Sequence, residues 1–170
     1  ITPATNTFEL VSNTRTYQSP LTNAVQTASR KGSLWKASLQ FNNLSGDDRK
    51  VMQAFLVKLN GQQHRFTLQD HSHTLRGAGG GNLVVNGASQ SGTTLVCDGA
   101  TANVNNYLRE GDYVSFNNEL HMVVADTNSD GSGNVSISIA PPIRKSPPDD
   151  TIVDYTAPVQ GVFMLAGPAS

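Results

Sequence analysis

The chain has 170 residues, enough for one or two compact domains with a core of their own. Charged residues make up only 15%, and 12 Lys and Arg against 13 Asp and Glu leave a formal charge of −1, so no long-range field steers nucleic acid or an anionic membrane towards it. The single Cys97 excludes an intramolecular disulfide framework, and no run approaches the roughly 20 apolar residues that cross a bilayer as a helix.

The first residues, Ile1–Thr2–Pro3–Ala4, carry neither a basic segment nor an apolar one, so a secretory leader is not expected over them. The uncharged polar stretch from Thr2 to Asn13 reads as an arm reaching a neighbour or as a frayed end. Thr16–Tyr17 and Ser33 to Phe41 read as strands; in the second, period 2 puts Trp35, Ala37, Leu39 and Phe41 on one face. Leu44–Ser45–Gly46–Asp47–Asp48 is a helix start, with Ser45 as N-cap and two acids complementing the positive end of the helix dipole. Val51, Ala54, Phe55, Lys58 and Leu59 then follow helical spacing, with Met52 and Leu56 widening the apolar stripe, and Asn60–Gly61 is the expected stop. A helix over about 46–60 is followed by a strand at Arg65 to Gln69.

Gly77–Ala78–Gly79–Gly80–Gly81 reads as a flexible break between units. Short alternating runs follow: Leu83–Val85, Thr93–Cys97, Tyr113–Phe116, Leu120–Val124 and Asn134–Ile139. Turn chemistry separates them at Asn86–Gly87, Asp98–Gly99, Asn117–Asn118 and Asp130–Gly133; the Asn pair predicts a tight hairpin because Asn tolerates positive φ. Strands at this spacing predict a small barrel or sandwich. Pro141–Pro142, which cannot donate ladder hydrogen bonds, is expected to end the last strand after Ile139, and Pro147–Pro148 to close a linker. Thr151–Tyr155 and Val159–Leu165 are expected to return to the first part and complete its sheet.

The expected fold is therefore mainly β with one helix, α+β in class. A strand–helix–strand base (residues 1–76) carries an inserted small β-barrel, OB-like or similar (77–145), and return strands (146–170) complete the base.

No catalytic, cofactor or metal set emerges. Asp126 to Gly131 resembles half a calcium loop, but Ile137 stands where the bidentate Glu belongs and both flanks read as strands, so it reads as a turn. His64, His71 and His73 cluster after the helix, and Asp70 to His73 places two imidazoles near one another; zinc would need a third protein ligand, and solvated loop histidines are the plainer reading. The glycine run lacks the Lys–Ser/Thr of a phosphate loop. No Ser elbow is present, and His121 matches no nucleophile. Asp47 and Asp48 complement a helix end, Cys97 reads as a small buried hydrophobe, and Arg109, Arg144 and Lys145 are too scattered for a nucleic-acid groove.

Two stretches carry a family resemblance. The first runs from Gly32–Ser33–Leu34–Trp35 through Leu44 to Ala54–Phe55–Leu56, Leu59–Asn60–Gly61 and Phe66 to Asp70. The second runs from Leu108–Arg109–Glu110–Gly111–Asp112–Tyr113–Val114 through Glu119 to Val123, then Gly133 to Arg144 with its Pro–Pro–x–Arg ending. In this order they resemble the distal tail or minor tail-tip structural proteins of long-tailed, siphovirus-type bacteriophages, over most of residues 30–145. The resemblance implies a virion structural protein at the tail tip and no enzymatic activity. It implies a ring, commonly a homohexamer of the chain with itself, that joins the tail tube protein to the tip hub or baseplate protein, with the tape-measure protein as a further neighbour. It implies no cofactor, membrane or specific nucleic acid. The abundance of Asn, Ser, Thr and Gln fits surfaces that meet other proteins, because uncharged amides and hydroxyls desolvate more cheaply than ions. The alternative is a secreted or surface carbohydrate-binding β-module, for which Tyr107, Tyr113 and Phe116 would have to offer exposed rings.

Overall fold

A computed structural model describes residues 1–29 and 32–167. In chain order these form strands β1 (Thr5–Val11), β2 (Thr14–Gln18), β3 (Val25–Ser29) and β4 (Leu34–Gln40), helix α1 (Gly46–Leu59) and strand β5 (Phe66–Gln69). Then follow β6 (Gly81–Val85), β7 (Gly92–Ala100), β8 (Tyr113–Phe116), β9 (Glu119–Val123), β10 (Val135–Ile143) and β11 (Val159–Phe163). The protein is mainly β with a single helix, as composition and periodicity predict.

The base consists of short antiparallel ribbons rather than one continuous sheet. β4, α1 and β5 follow in the expected order, but β4 pairs with β1 and β5 pairs with β11. The amino-terminal stretch is thus neither an arm nor a frayed end over Thr5–Val11. It lies in register against β4, with Phe8 opposite Ala37 and Leu10 opposite Trp35. Its half-buried positions alternate as those of β4 do, so Asn6, Phe8 and Leu10 share the inward face with Trp35, Ala37 and Leu39. β2 and β3 form a separate hairpin, and every residue of β2 is exposed.

Helix α1 begins as its sequence dictates. The Ser45 hydroxyl accepts the Asp48 N–H at 3.1 Å and donates to the Asp48 carboxylate at 2.7 Å, closing a reciprocal cap. It ends on Asn60, which takes a left-handed conformation with φ 47°. The buried stripe, however, is Met52, Leu56 and Leu59, at spacing i, i+4, i+7, with Leu59 buried and the other two half-buried. Val51, Ala54 and Phe55, expected inside, lie on the exposed side.

Strands β6, β7, β10, β9 and β8 form one five-stranded sheet, in that spatial order, that curls into a half-barrel. Its inward residues, among them Leu83, Leu95, Val114, Ile137 and Ile139, make the main core. β8 and β9 meet at Asn117–Asn118, with φ of 50° and 61°, the two positive values a tight hairpin needs. β10 does not stop at Ile139: it continues extended through Pro141 and Pro142 to Ile143. The two prolines cost little because the strand changes partner there, leaving β9 after Ala140 and meeting β7 again at Ile143 opposite Gly92.

Two further expectations are corrected. Residues 151–155 do not return to the base. They run extended between the two edges of the curled sheet, bridging Val84 with Ile152 and Ser115 with Asp154, and so cover its open side. Paired bonds at 2.7 and 2.9 Å between Ser115 and Asp154, and Val153 and Tyr155 in the core, fix them there. Only β11 goes back, to β5. Nor is the glycine run a loose break. A Cβ on Gly77 would run into the Tyr107 carbonyl, and one on Gly81 into the Gly99 carbonyl, so these glycines are there for close backbone approach.

Base and barrel meet across an aromatic seam. Phe8 packs on Trp35 and Phe163 with ring centroids 5.5 Å apart in each case, and Trp35 packs edge-on against Tyr113 at 5.5 Å. Phe66 stacks on Phe163 at 6.1 Å, extending the seam to β5. Trp35 Nε1 also donates to the Leu120 carbonyl at 2.7 Å, fastening β4 to β9. Truncating the buried ring with Phe163→Ala should destabilise the chain by roughly 3 kcal/mol, whereas Val162→Ala, one residue away and exposed, should change it by less than about 0.5 kcal/mol. Urea unfolding midpoints at unchanged m-value measure both, and equal shifts would show that the seam is not a packed joint.

Candidate functional site

The residues with chemical potential do not converge. His64 and His71 are exposed at separate turns, while His73 is half-buried with its ring 4.9 Å from that of Tyr113. Among the described residues no three His, Cys, Asp or Glu side chains come together as metal ligands. Asp70, adjacent to the histidines in sequence, accepts from Asn6 at 2.5 Å and from the backbone and hydroxyl of Ser72 at 2.9 and 2.6 Å.

The segment resembling a calcium loop directs its oxygens at main chain. Asp126 accepts the Glu110 N–H at 2.8 Å and Asn128 accepts that of Asn106 at 2.7 Å. Asp130 accepts from Asn134 through side chain and backbone, and from the Ser132 N–H, and these bonds hold its carboxyl below the usual range. This is a turn closed by its own side chains. Cys97 is buried, and burial followed by the neighbouring Asp98 charge pushes its thiol up to about 12, far from a reactive thiolate.

The three aromatics that sugar recognition would need are all covered. Tyr107 has no exposure and donates to the Gly80 carbonyl at 2.7 Å. Phe116 is stacked inside the barrel on His121. Tyr113 lies under Trp35 and Phe8, and its hydroxyl pKa is pushed up to about 12 by burial and then by the Asp70 charge. None presents a face to a ligand.

What the fold does gather is a structural centre at the mouth of the barrel. Asp112 has no exposure, yet among the described residues no cation pairs with it. Its Oδ1 accepts the Arg76 N–H at 2.8 Å, and its Oδ2 accepts those of Gly77 at 2.9 Å and Arg109 at 2.8 Å. Three main-chain donors replace the water that a buried carboxylate would otherwise miss. They come from the chain entering the barrel and from the loop before β8, so this one side chain fixes their junction. In the sequence Asp112 follows Arg109–Glu110–Gly111 directly before Tyr113–Val114, and nothing there distinguishes a buried carboxylate from an ordinary turn acid. Asp112→Asn, which swaps one acceptor for a donor facing these N–H groups, should cost about 3 kcal/mol. Asp126→Asn, which touches one exposed bond, should cost under about 1 kcal/mol. Thermal melts of both variants check the contrast.

The exposed apolar positions lie elsewhere. On the β2–β3 hairpin Tyr17 is 51% exposed, Leu21 94% and Val25 58%. On the outer side of α1, Val51 and Val57 are exposed as well. The hairpin touches solvent on both faces. No protein-family model matches the chain, and no curated protein matches it.

Proposed function

We propose that this chain is a non-catalytic structural subunit of a long-tailed bacteriophage tail tip, which forms a ring with copies of itself between the tail tube and the hub or baseplate. The ordered motifs around Trp35, Gly111–Asp112 and the Pro–Pro–x–Arg ending support it, since they resemble such proteins over most of residues 30–145.

One physical observation carries the assembly reading. The β2–β3 hairpin projects as a two-stranded ribbon, every residue of β2 is exposed, and three large apolar side chains, Tyr17, Leu21 and Val25, lie on or next to it. A lone hairpin is at best marginally stable in water, and two free edges with exposed apolar side chains invite pairing with another chain. An element of this kind makes physical sense as an assembly contact. The near-neutral surface fits the same reading, because like-charged copies would repel one another in a ring. The packed core of the half-barrel, with Asp112 fixing the junction at Arg76 and Gly77, fits a body that stacks between neighbouring tail layers.

Native mass spectrometry and sedimentation across a concentration series, with immunogold electron microscopy of virions, test the proposal. The expected outcome is a closed oligomer, or label at the tail tip. A strictly monomeric chain that is absent from virions would overturn it. Leu21→Glu, at the exposed hairpin tip, should weaken self-association by roughly tenfold or more while leaving the monomer's melting temperature unchanged.

A further inference from the structure

Strand β9 holds a polar pair that the assembly reading does not use. His121 has no exposure, and its ring lies parallel to that of Phe116 with centroids 4.6 Å apart. Across the ladder, His121 Nδ1 is 2.7 Å from the Pro141 carbonyl. A carbonyl only accepts, so the neutral ring carries its proton on Nδ1 and presents a lone pair at Nε2. That lone pair faces Oε2 of Glu119 at 3.7 Å, and both atoms are buried without a hydrogen-bond partner. Two acceptors thus face each other with no donor between them. The other charged group bearing on the ring is Arg144, whose guanidinium donates to the Ser33 carbonyl beside β4. Burial, opposed by the Pro141 bond and assisted by Arg144, depresses the imidazole pKa to about 4.

Between these two side chains sits the Leu120 peptide, and both of its polar groups fasten the base to the barrel. Its carbonyl accepts from Trp35 Nε1 at 2.7 Å, and its N–H donates to the Gln160 side chain at 2.8 Å. Side chains at 119 and 121 lie on one face of β9, so a change in their separation moves the peptide between them.

We propose that Glu119 and His121 form a proton-operated latch on the docking of the base against the barrel. One proton taken up at Nε2 turns the acceptor–acceptor contact into a charge-assisted N–H···O bond, draws the two side chains together and pulls the Leu120 peptide off Trp35 and Gln160. The new positive charge also repels Arg144, which loosens its hold on Ser33. The docked state resists the proton, so between the ordinary imidazole value of 6.5 and about 4 it binds fewer protons than the undocked state. Docking is therefore complete above this window and is lost as the pH falls through it.

Trp35 is the only tryptophan, so its emission reports this joint alone. The full chain is titrated from about pH 8 to about pH 4, following Trp35 emission, the His121 imidazole resonances and far-ultraviolet dichroism together. The expected result is a one-proton red shift of the emission that tracks the His121 resonances while the dichroism holds. His121→Phe should abolish the step, and Arg144→Gln, at an exposed position, should raise its midpoint by about half a pH unit. Flat emission, emission and dichroism collapsing together, a step surviving in His121→Phe, or an unmoved midpoint in Arg144→Gln would each overturn the latch.

Discussion

The Asp112 carboxylate, enclosed by three main-chain N–H groups, is the constraint on which the rest of the molecule depends. A buried charge survives only where fixed dipoles replace its water, and here the dipoles belong to Arg76, Gly77 and Arg109. Satisfying the carboxylate therefore fixes where the chain enters the barrel relative to the loop that leads into β8. The Gly77 backbone lies so close to Tyr107 that no Cβ fits, because the carboxylate holds the two segments together. β8 starts at the next residue, Tyr113, so its register and the direction of each of its side chains follow from the same anchor.

That direction has an architectural consequence. β8 is buried along its whole length, which an edge strand of a small curled sheet ordinarily is not. Val114 and Phe116 point into the barrel core, while Tyr113 meets Trp35 and Phe8 of the base, and the Ser115 hydroxyl accepts the Val159 N–H. The edge itself is closed by the Asp154 bridge. A strand with both faces and its edge covered leaves no open template for unwanted pairing on the barrel. Free ladder edges remain on the two-stranded ribbons, and those of β2–β3 lie away from the core.

Local chemistry was legible from the residues alone. The Ser45 cap, the Asn60 stop, the Asn117–Asn118 hairpin and the period-2 face of β4 all follow from short-range sterics and hydrogen bonding. What could not be read were pairings between distant segments, because alternation marks a strand without naming its partner. Thr5–Val11 alternates weakly among polar residues, so its place beside Trp35 is visible only once β4 is present. Thr151–Tyr155 looks no different from Val159–Phe163, yet one covers the barrel and the other joins β5. Pro141–Pro142 misled for a related reason. A proline cannot donate, but that ends a strand only where a donor is needed, and β10 is changing partners at that point.

The asparagine-rich composition also changes meaning. Read alone, it points to surfaces made for protein contact. Yet seven of the nine non-glycine residues with positive φ among the described residues are asparagines, at positions 23, 43, 60, 103, 106, 117 and 118. Asn tolerates the left-handed conformation better than other side chains that carry a Cβ. A chain of short strands needs many tight turns, and so it accumulates asparagine whether or not it meets a partner. Other polar side chains serve neighbouring backbone: Gln90 bridges to Val96, and Asp154 accepts from Thr156 and Ala157. Turn geometry thus accounts for part of the asparagine content, and the case for assembly shifts to a narrower place. It rests on the ribbon that carries Tyr17 and Val25 into solvent, where neither turn chemistry nor core packing accounts for them.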